Sequence, residues 1–127
     1  MTLAFNWFEV AAAVMVVVVA ALHVYFLVLE MFLWRTPFGR RTFRMTQEVA
    51  DSSAVLAANQ GLYNGFLAAG LLWALIAYGV ESGRPILTFF LACVIVAGLY
   101  GGATVSRRII LFQSVPAVIA LVLVWLS

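Results

Sequence analysis

The segment Ala54-Val-Leu-Ala-Ala-Asn59-Gln60-Gly-Leu-Tyr63-Asn64-Gly-Phe-Leu-Ala-Ala69 determines how the rest of the chain must be arranged. It lies in a stretch, residues 53–79, that is long and apolar enough to cross a bilayer. It nevertheless places three amides and a phenol in hydrocarbon, where unpaired polar groups are costly. We therefore expect these side chains to find partners on neighbouring helices.

Helical spacing places small residues beside the polar ones. Gln60 and Asn64 are one turn apart, and so are Asn59 and Tyr63. A stripe of small side chains at four-residue steps runs next to them and consists of Ala57, Gly61, Gly65 and Ala69. This pattern predicts a neighbouring helix that approaches closely along the stripe and meets the amides.

The composition is that of an integral membrane protein. Of 127 residues, 66% are hydrophobic and 9% are charged, whereas soluble domains carry roughly a quarter charged residues. No basic region precedes the first apolar run, so we expect that run to be retained as a membrane span. The chain has no lysine, which excludes a lysine Schiff base. One cysteine and one histidine are too few for a disulfide or a structural zinc site, so no metal is predicted and no cofactor is indicated.

The distribution of apolar residues predicts an all-α fold in a single domain of residues 1–127. Four membrane spans are expected, at residues 7–34, 53–79, 86–105 and 109–126. Thr36-Pro37 is typical of a helix start, which predicts a short interfacial helix between spans 1 and 2. Thr46, followed by Gln47 and Glu48, predicts that the second long helix begins there. The predicted architecture is an integral membrane four-helix bundle.

Arginine placement predicts the orientation of the bundle. The first and third connections carry Arg35, Arg40, Arg41, Arg44, Arg107 and Arg108, whereas the opposite side carries only Arg84. By the positive-inside rule, both of these connections are expected in the cytoplasm and both termini outside.

This orientation brings the polar residues of all four spans to one depth. His23 and Glu30 lie about two turns apart on span 1. The expected ligand-binding residues in the inner half of the membrane are His23, Glu30, Asn59, Gln60, Tyr63, Asn64, Tyr100 and Gln113. The outer half is nearly all apolar. The pattern favours a polar pocket in the inner half, with His23 and Glu30 as the candidate catalytic or proton-handling residues.

Each of these residues also has a structural interpretation. The amides and His23 could simply bond neighbouring helices, Glu30 could pair with Arg35 or Arg107, and the tyrosines could serve packing. Pro116 frees a carbonyl near Phe112, and Gln113 or Ser114 is expected to bond it again.

Several motifs resemble those of a known family. They are His23-x6-Glu30-Met31-Phe32-x-Trp34, Ala57-Ala58-Asn59-Gln60-Gly61-x-Tyr63-Asn64-Gly65-Phe66-Leu67-Ala68, Tyr100-Gly101 and Gln113-x-x-Pro116. Together they closely resemble the small bacterial four-span membrane proteins catalogued as domain of unknown function 1304. The resemblance covers nearly the whole chain and implies four spans and a bacterial inner (plasma) membrane location. It implies no activity.

Three functions stay open at this point. The first is binding of a small polar or amphiphilic molecule, with proton-linked transport. The second is an intramembrane isomerase-like enzyme that acts on a lipophilic substrate with Glu30 and His23 as base and acid. The third is an accessory subunit of a membrane complex. The expected partners are membrane lipids and a small-molecule ligand, a parallel homo-oligomer stays open, and no nucleic-acid contact is expected.

Overall fold

The protein is an all-α bundle, as predicted. The structure, a computed structural model, describes residues 6–127, in which all regular structure is helical. We number its elements α1 Trp7–Met31, α2 Pro37–Phe43, α3 Gln47–Ser82, α4 Arg84–Thr104, a π-helical turn Ile110–Ser114, and α5 Val115–Leu126.

The four long elements pack in a ring. α1 packs against α3 and α5, and α4 packs against the same two helices. Three helices, α1, α3 and α4, are long and apolar enough to cross a membrane, whereas the π-helical turn and α5 together form a shorter apolar helix. The predicted fourth span is therefore present as a helix, at the lower end of the length that a bilayer requires.

The hydrophobic core lies in the half of the bundle near the α3–α4 turn. Every long helix contributes fully buried side chains to it, and these include Val16, Leu71, Leu87, Leu91 and Val124. This half matches the apolar outer half expected from the sequence. The polar residues lie toward the opposite end of the bundle, where α1 terminates.

Small residues allow the close helix approaches that the sequence predicts. A Cβ atom on Gly61 would come within 2.8 Å of Met31 Cγ and 3.2 Å of the Leu27 carbonyl oxygen, so α1 lies directly on the small-residue stripe of α3. Ala69, at the end of that stripe, is exposed. Gly98 of α4 is equally close to Ser114.

Side-chain caps define the short helix and the start of α3. The Thr36 hydroxyl accepts the Gly39 N–H at 3.2 Å, and the Thr46 hydroxyl accepts the Val49 N–H at 3.2 Å. Both predicted helix starts are confirmed. α1 ends at Met31, so Trp34 lies outside the helix.

The turn between α3 and α4 depends on one glycine. Gly79 has φ 79° and ψ 178°, a conformation that only glycine adopts without strain. The chain then turns through Gly83, and Arg84 reaches the carboxyl end of α5. There its Nε donates to the Val124 carbonyl oxygen at 3.3 Å, and Nη2 donates to the oxygen of Ser127 at 3.2 Å.

Pro116 follows a π-helical turn, because a proline cannot continue a regular α-helical ladder. The Val115 N–H bonds to the Ile110 carbonyl oxygen, five residues earlier. Gln113 and Ser114 were expected to bond a freed carbonyl of their own helix, and this expectation is wrong. Both side chains bond other helices, because the turn directs them outward to α1 and α4.

Candidate functional site

One polar pair joins α1 to the π-helical turn. His23 is completely buried, with 0% exposure, and its Nδ1 lies 2.8 Å from the Val19 carbonyl oxygen, so Nδ1 carries the hydrogen and donates it. The Gln113 Nε2 lies 3.2 Å from His23 Nε2 and donates to it. Both ring nitrogens are thus occupied, and His23 is held as one neutral tautomer.

A neighbouring contact also originates in the π-helical turn. The Ser114 hydroxyl donates to the Ile95 carbonyl oxygen of α4 at 2.9 Å. The turn therefore bonds α1 through Gln113 and α4 through the next residue. π-helical turns frequently occur at functional sites, and this one holds the buried histidine in place.

A second polar pair joins α1 to α3. The Asn64 Nδ2 donates to the Glu30 Oε1 at 2.5 Å, across the interface that the small-residue stripe creates. Asn64 is buried and Glu30 is partly buried. This hydrogen bond links the end of α1 to α3.

Glu30 also lines an open cleft between the end of α1 and the first turns of α3. The cleft has a volume of about 430 Å³. Its lining combines polar groups with apolar and small side chains: Glu30, Met31, Phe32, Trp34, Arg35, Thr36, Ala54, Val55 and Ala58. One side of the Glu30 carboxyl group is therefore fixed by Asn64, while the residue remains part of an accessible surface.

The other four predicted residues lie on the outside of the bundle. Asn59 and Gln60 are exposed, and Tyr63 and Tyr100 have 52% and 72% of their side chains exposed. Of the eight predicted residues, the structure thus joins four as two hydrogen-bonded pairs and leaves the other four exposed. Their roles in ligand binding stay predictions.

A larger cleft, of about 550 Å³, lies where α4 meets the π-helical turn. None of the predicted binding residues lines it, and its walls are mostly apolar. Arg107 and Arg108 are the charged residues among those that line it.

Comparison with known proteins places the chain in a family. The family model described as Protein of unknown function (DUF1304) matches residues 17–125. The chain belongs to this family. It is also similar to the Uncharacterized protein YpaA of Lactococcus lactis subsp. lactis (strain IL1403), with 34% identity over 100 residues that cover 77% of this chain and 82% of the relative. No solved structure is significantly similar to it.

Membership in DUF1304 confirms the resemblance seen in the sequence motifs, and the matched range includes all eight predicted site residues. The family description assigns no activity. Any function must therefore be argued from the chemistry of the two pairs and the cleft.

Of the nine residues that line the Glu30 cleft, only Glu30 was predicted as a site residue. Three of the others, Trp34, Arg35 and Thr36, had been noted for another reason: Trp34 as part of a family motif, Arg35 as a determinant of orientation, and Thr36 as the start of a helix. Trp34 also donates from Nε1 to the Ser53 hydroxyl at 3.0 Å, which links the segment after α1 to α3. The sequence signal for the cleft was their position four to six residues after Glu30.

Proposed function

We propose that this DUF1304 protein is an integral membrane protein that binds an amphiphilic molecule in the Glu30 cleft and moves it across or out of the membrane in a proton-linked manner. The observation that carries the proposal is the Glu30 carboxylate, which Asn64 orients while Glu30 still lines a cleft. Carboxylates inside membrane spans are costly to maintain and commonly mark substrate or proton pathways.

The arginines support an orientation with the cleft near the cytoplasm. The connection around α2 and the one between α4 and the π-helical turn carry six arginines, whereas Arg84 lies at the other end of the bundle. In a bacterial inner membrane this bias favours an orientation with the Glu30 cleft toward the cytoplasm and both termini outside. The short helix α2, with arginines in its last turn, then lies at the cytoplasmic interface.

The charges in the cleft favour a particular class of ligand. Arg35 follows the end of α1 and lies nearer the interface, while Glu30 lies in the last turn of the span. A ligand in the inner leaflet would therefore place an anionic head group at Arg35 and a hydrogen-bond donor more deeply at Glu30. A phosphoethanolamine head group has the reverse order, with its amine outside its phosphate. A lysophospholipid has the required order, because its free hydroxyl lies deeper than its phosphate.

Native mass spectrometry of the purified protein incubated with lysophosphatidylglycerol tests this binding. The wild-type protein is expected to retain the lipid, whereas Glu30→Gln, which keeps the size but removes the charged acceptor, is expected to bind it at least tenfold more weakly. Glu48→Gln is a matched control, since this exposed glutamate in the first turn of α3 is not among the residues that line the cleft. Equal retention by all three proteins would refute binding at Glu30.

Proton linkage is tested separately in proteoliposomes that contain labelled lysophosphatidylglycerol and an imposed pH gradient. We expect gradient-dependent movement of the lipid in wild type and in Glu48→Gln, and none in Glu30→Gln. Gradient-driven movement that persists in Glu30→Gln would exclude coupling through this carboxylate. If the wild-type protein binds the lipid but does not move it, the protein is a binding protein and the transport proposal is refuted.

The isomerase-like alternative is less consistent with the geometry. It requires His23 and Glu30 to reach one substrate, but His23 is fully buried and bonds Gln113 of the π-helical turn, whereas Glu30 bonds Asn64 of α3. Turnover of a lipid extract in detergent would favour the enzyme. Copurification of a stoichiometric partner, together with an absence of bound lipid, would favour the accessory subunit.

A further inference from the structure

Two amide side chains on α3, Asn59 and Gln60, are exposed in the part of the helix that the sequence predicts to lie in hydrocarbon. Asn59 and Gln60 make no side-chain hydrogen bond to any residue in the described range 6–127. At about 1.5 Å per residue, Asn59 lies roughly 9 Å beyond Ser53, where the apolar segment begins. Their side chains are too short to reach water from that depth, and lipid tails offer no partner.

The same side of α3 is covered in the outer half of the bundle. Gly70 lies directly against the Phe90 ring of α4, and Ala74, one turn further, is fully buried. Gln60, Tyr63, Leu67 and Gly70 follow one another at helical spacing, so they form one continuous face of α3. This face is covered by α4 at Gly70 but exposed at Gln60 and Tyr63.

We propose that a second copy of the chain covers this exposed face of α3, in parallel orientation. An amide carries both donors and an acceptor, so two copies related by a two-fold axis can each satisfy the other with the same residues. Only a parallel copy places the Asn59 and Gln60 amides of both chains at the same depth. An antiparallel copy would place Asn59 and Gln60 against the apolar outer half, and the arginine bias opposes that orientation.

This interface does not depend on the Glu30 cleft. The cleft-lining residues of α3 are Ala54, Val55 and Ala58, and the contacts of Asn64 are directed to α1. Substitution of Asn59 and Gln60 therefore leaves the Glu30–Asn64 hydrogen bond in place.

Cysteine cross-linking in native membranes tests the location of the interface. In a Cys93→Ala background, Leu56→Cys is expected to give a cross-linked dimer with a short bis-maleimide, since Leu56 is 75% exposed and one turn from Gln60. Ile76→Cys is the matched control, because Ile76 is 81% exposed on the same helix but in the outer half. Equal cross-linking at both positions, or none at Leu56→Cys, would overturn the proposal.

The strength of self-association gives a second and independent test. Single-molecule photobleaching in liposomes should show that Asn59→Leu combined with Gln60→Leu weakens dimerisation by about 3- to 20-fold for each hydrogen bond lost. The variant should still be folded, as judged by its circular dichroism and thermal unfolding. A folded variant that dimerises as well as the wild type would refute the role of the amides, and so would a wild-type protein that stays monomeric at all protein-to-lipid ratios.

Discussion

Gly98→Ala should separate α4 from the π-helical turn. A Cβ atom on Gly98 would collide with the Ser114 hydroxyl and come within 2.8 Å of the Ser114 backbone nitrogen. The backbone cannot move aside as a flexible side chain could, so the helices must shift apart. Overpacking of this kind costs about 1 to 3 kcal/mol, and loss of the Ser114–Ile95 hydrogen bond adds about 1 kcal/mol. We therefore expect the free energy of unfolding to fall by about 2 to 4 kcal/mol.

Equilibrium unfolding in mixed detergent micelles, followed by circular dichroism, measures this change. Gly101→Ala is the matched control on the same helix, because the three atoms nearest to its Cβ all belong to the Ile109 side chain, the nearest at 3.0 Å, and that side chain can move. The control should change the free energy of unfolding by less than about 1 kcal/mol, since alanine also favours the helix. If both substitutions destabilise the protein equally, the close contact with Ser114 is not the reason that position 98 needs a glycine.

Three further substitutions test other contacts. Gly79→Ala should lower the free energy of unfolding by about 1 to 3 kcal/mol in the same assay. A Cβ atom would meet open space there, so the cost is backbone strain. An unchanged free energy of unfolding would contradict this. Arg84→Gln should lower the free energy of unfolding by about 1 kcal/mol and speed hydrogen exchange at the end of α5, while hydrogen exchange in α1 stays constant. Trp34→Phe loses the bond to Ser53 and should speed trypsin cleavage at the arginines of α2, whereas Trp125→Phe, which loses a bond in the outer half, should not.

The sequence predicts the helices well because the signals for them are local. Thr36-Pro37 and Thr46 define helix starts by side chains that cap the next few N–H groups, and both caps are present. The small residues of α3 and α4 likewise predict close packing, and Gly61 and Gly98 provide it. In each case the information lies within a few residues of the feature.

The candidate site is less predictable, because depth in the membrane does not specify direction around a helix. Glu30 and Asn64 were both expected among the residues of one polar pocket, and the structure joins them by a hydrogen bond. Asn59 and Gln60 lie at a similar depth, but successive residues differ by about 100° around the helix, and the side of α3 that they occupy has no neighbour within the described chain in this half of the bundle. Only the tertiary arrangement shows which polar residues face inward.

The π-helical turn makes two helix contacts depend on a single backbone register. Gln113 contacts His23 of α1, and Ser114 contacts Ile95 of α4. Both contacts require that the Ile110 carbonyl oxygen accepts the N–H of Val115, five residues later. Relaxation of that turn to ordinary α-helical register would rotate both side chains and release both partners together. The contact at His23 Nε2 and the contact with α4 would then be lost as one cooperative event, which simultaneous changes in the His23 ring resonances and in the amide exchange of Ser114 would report.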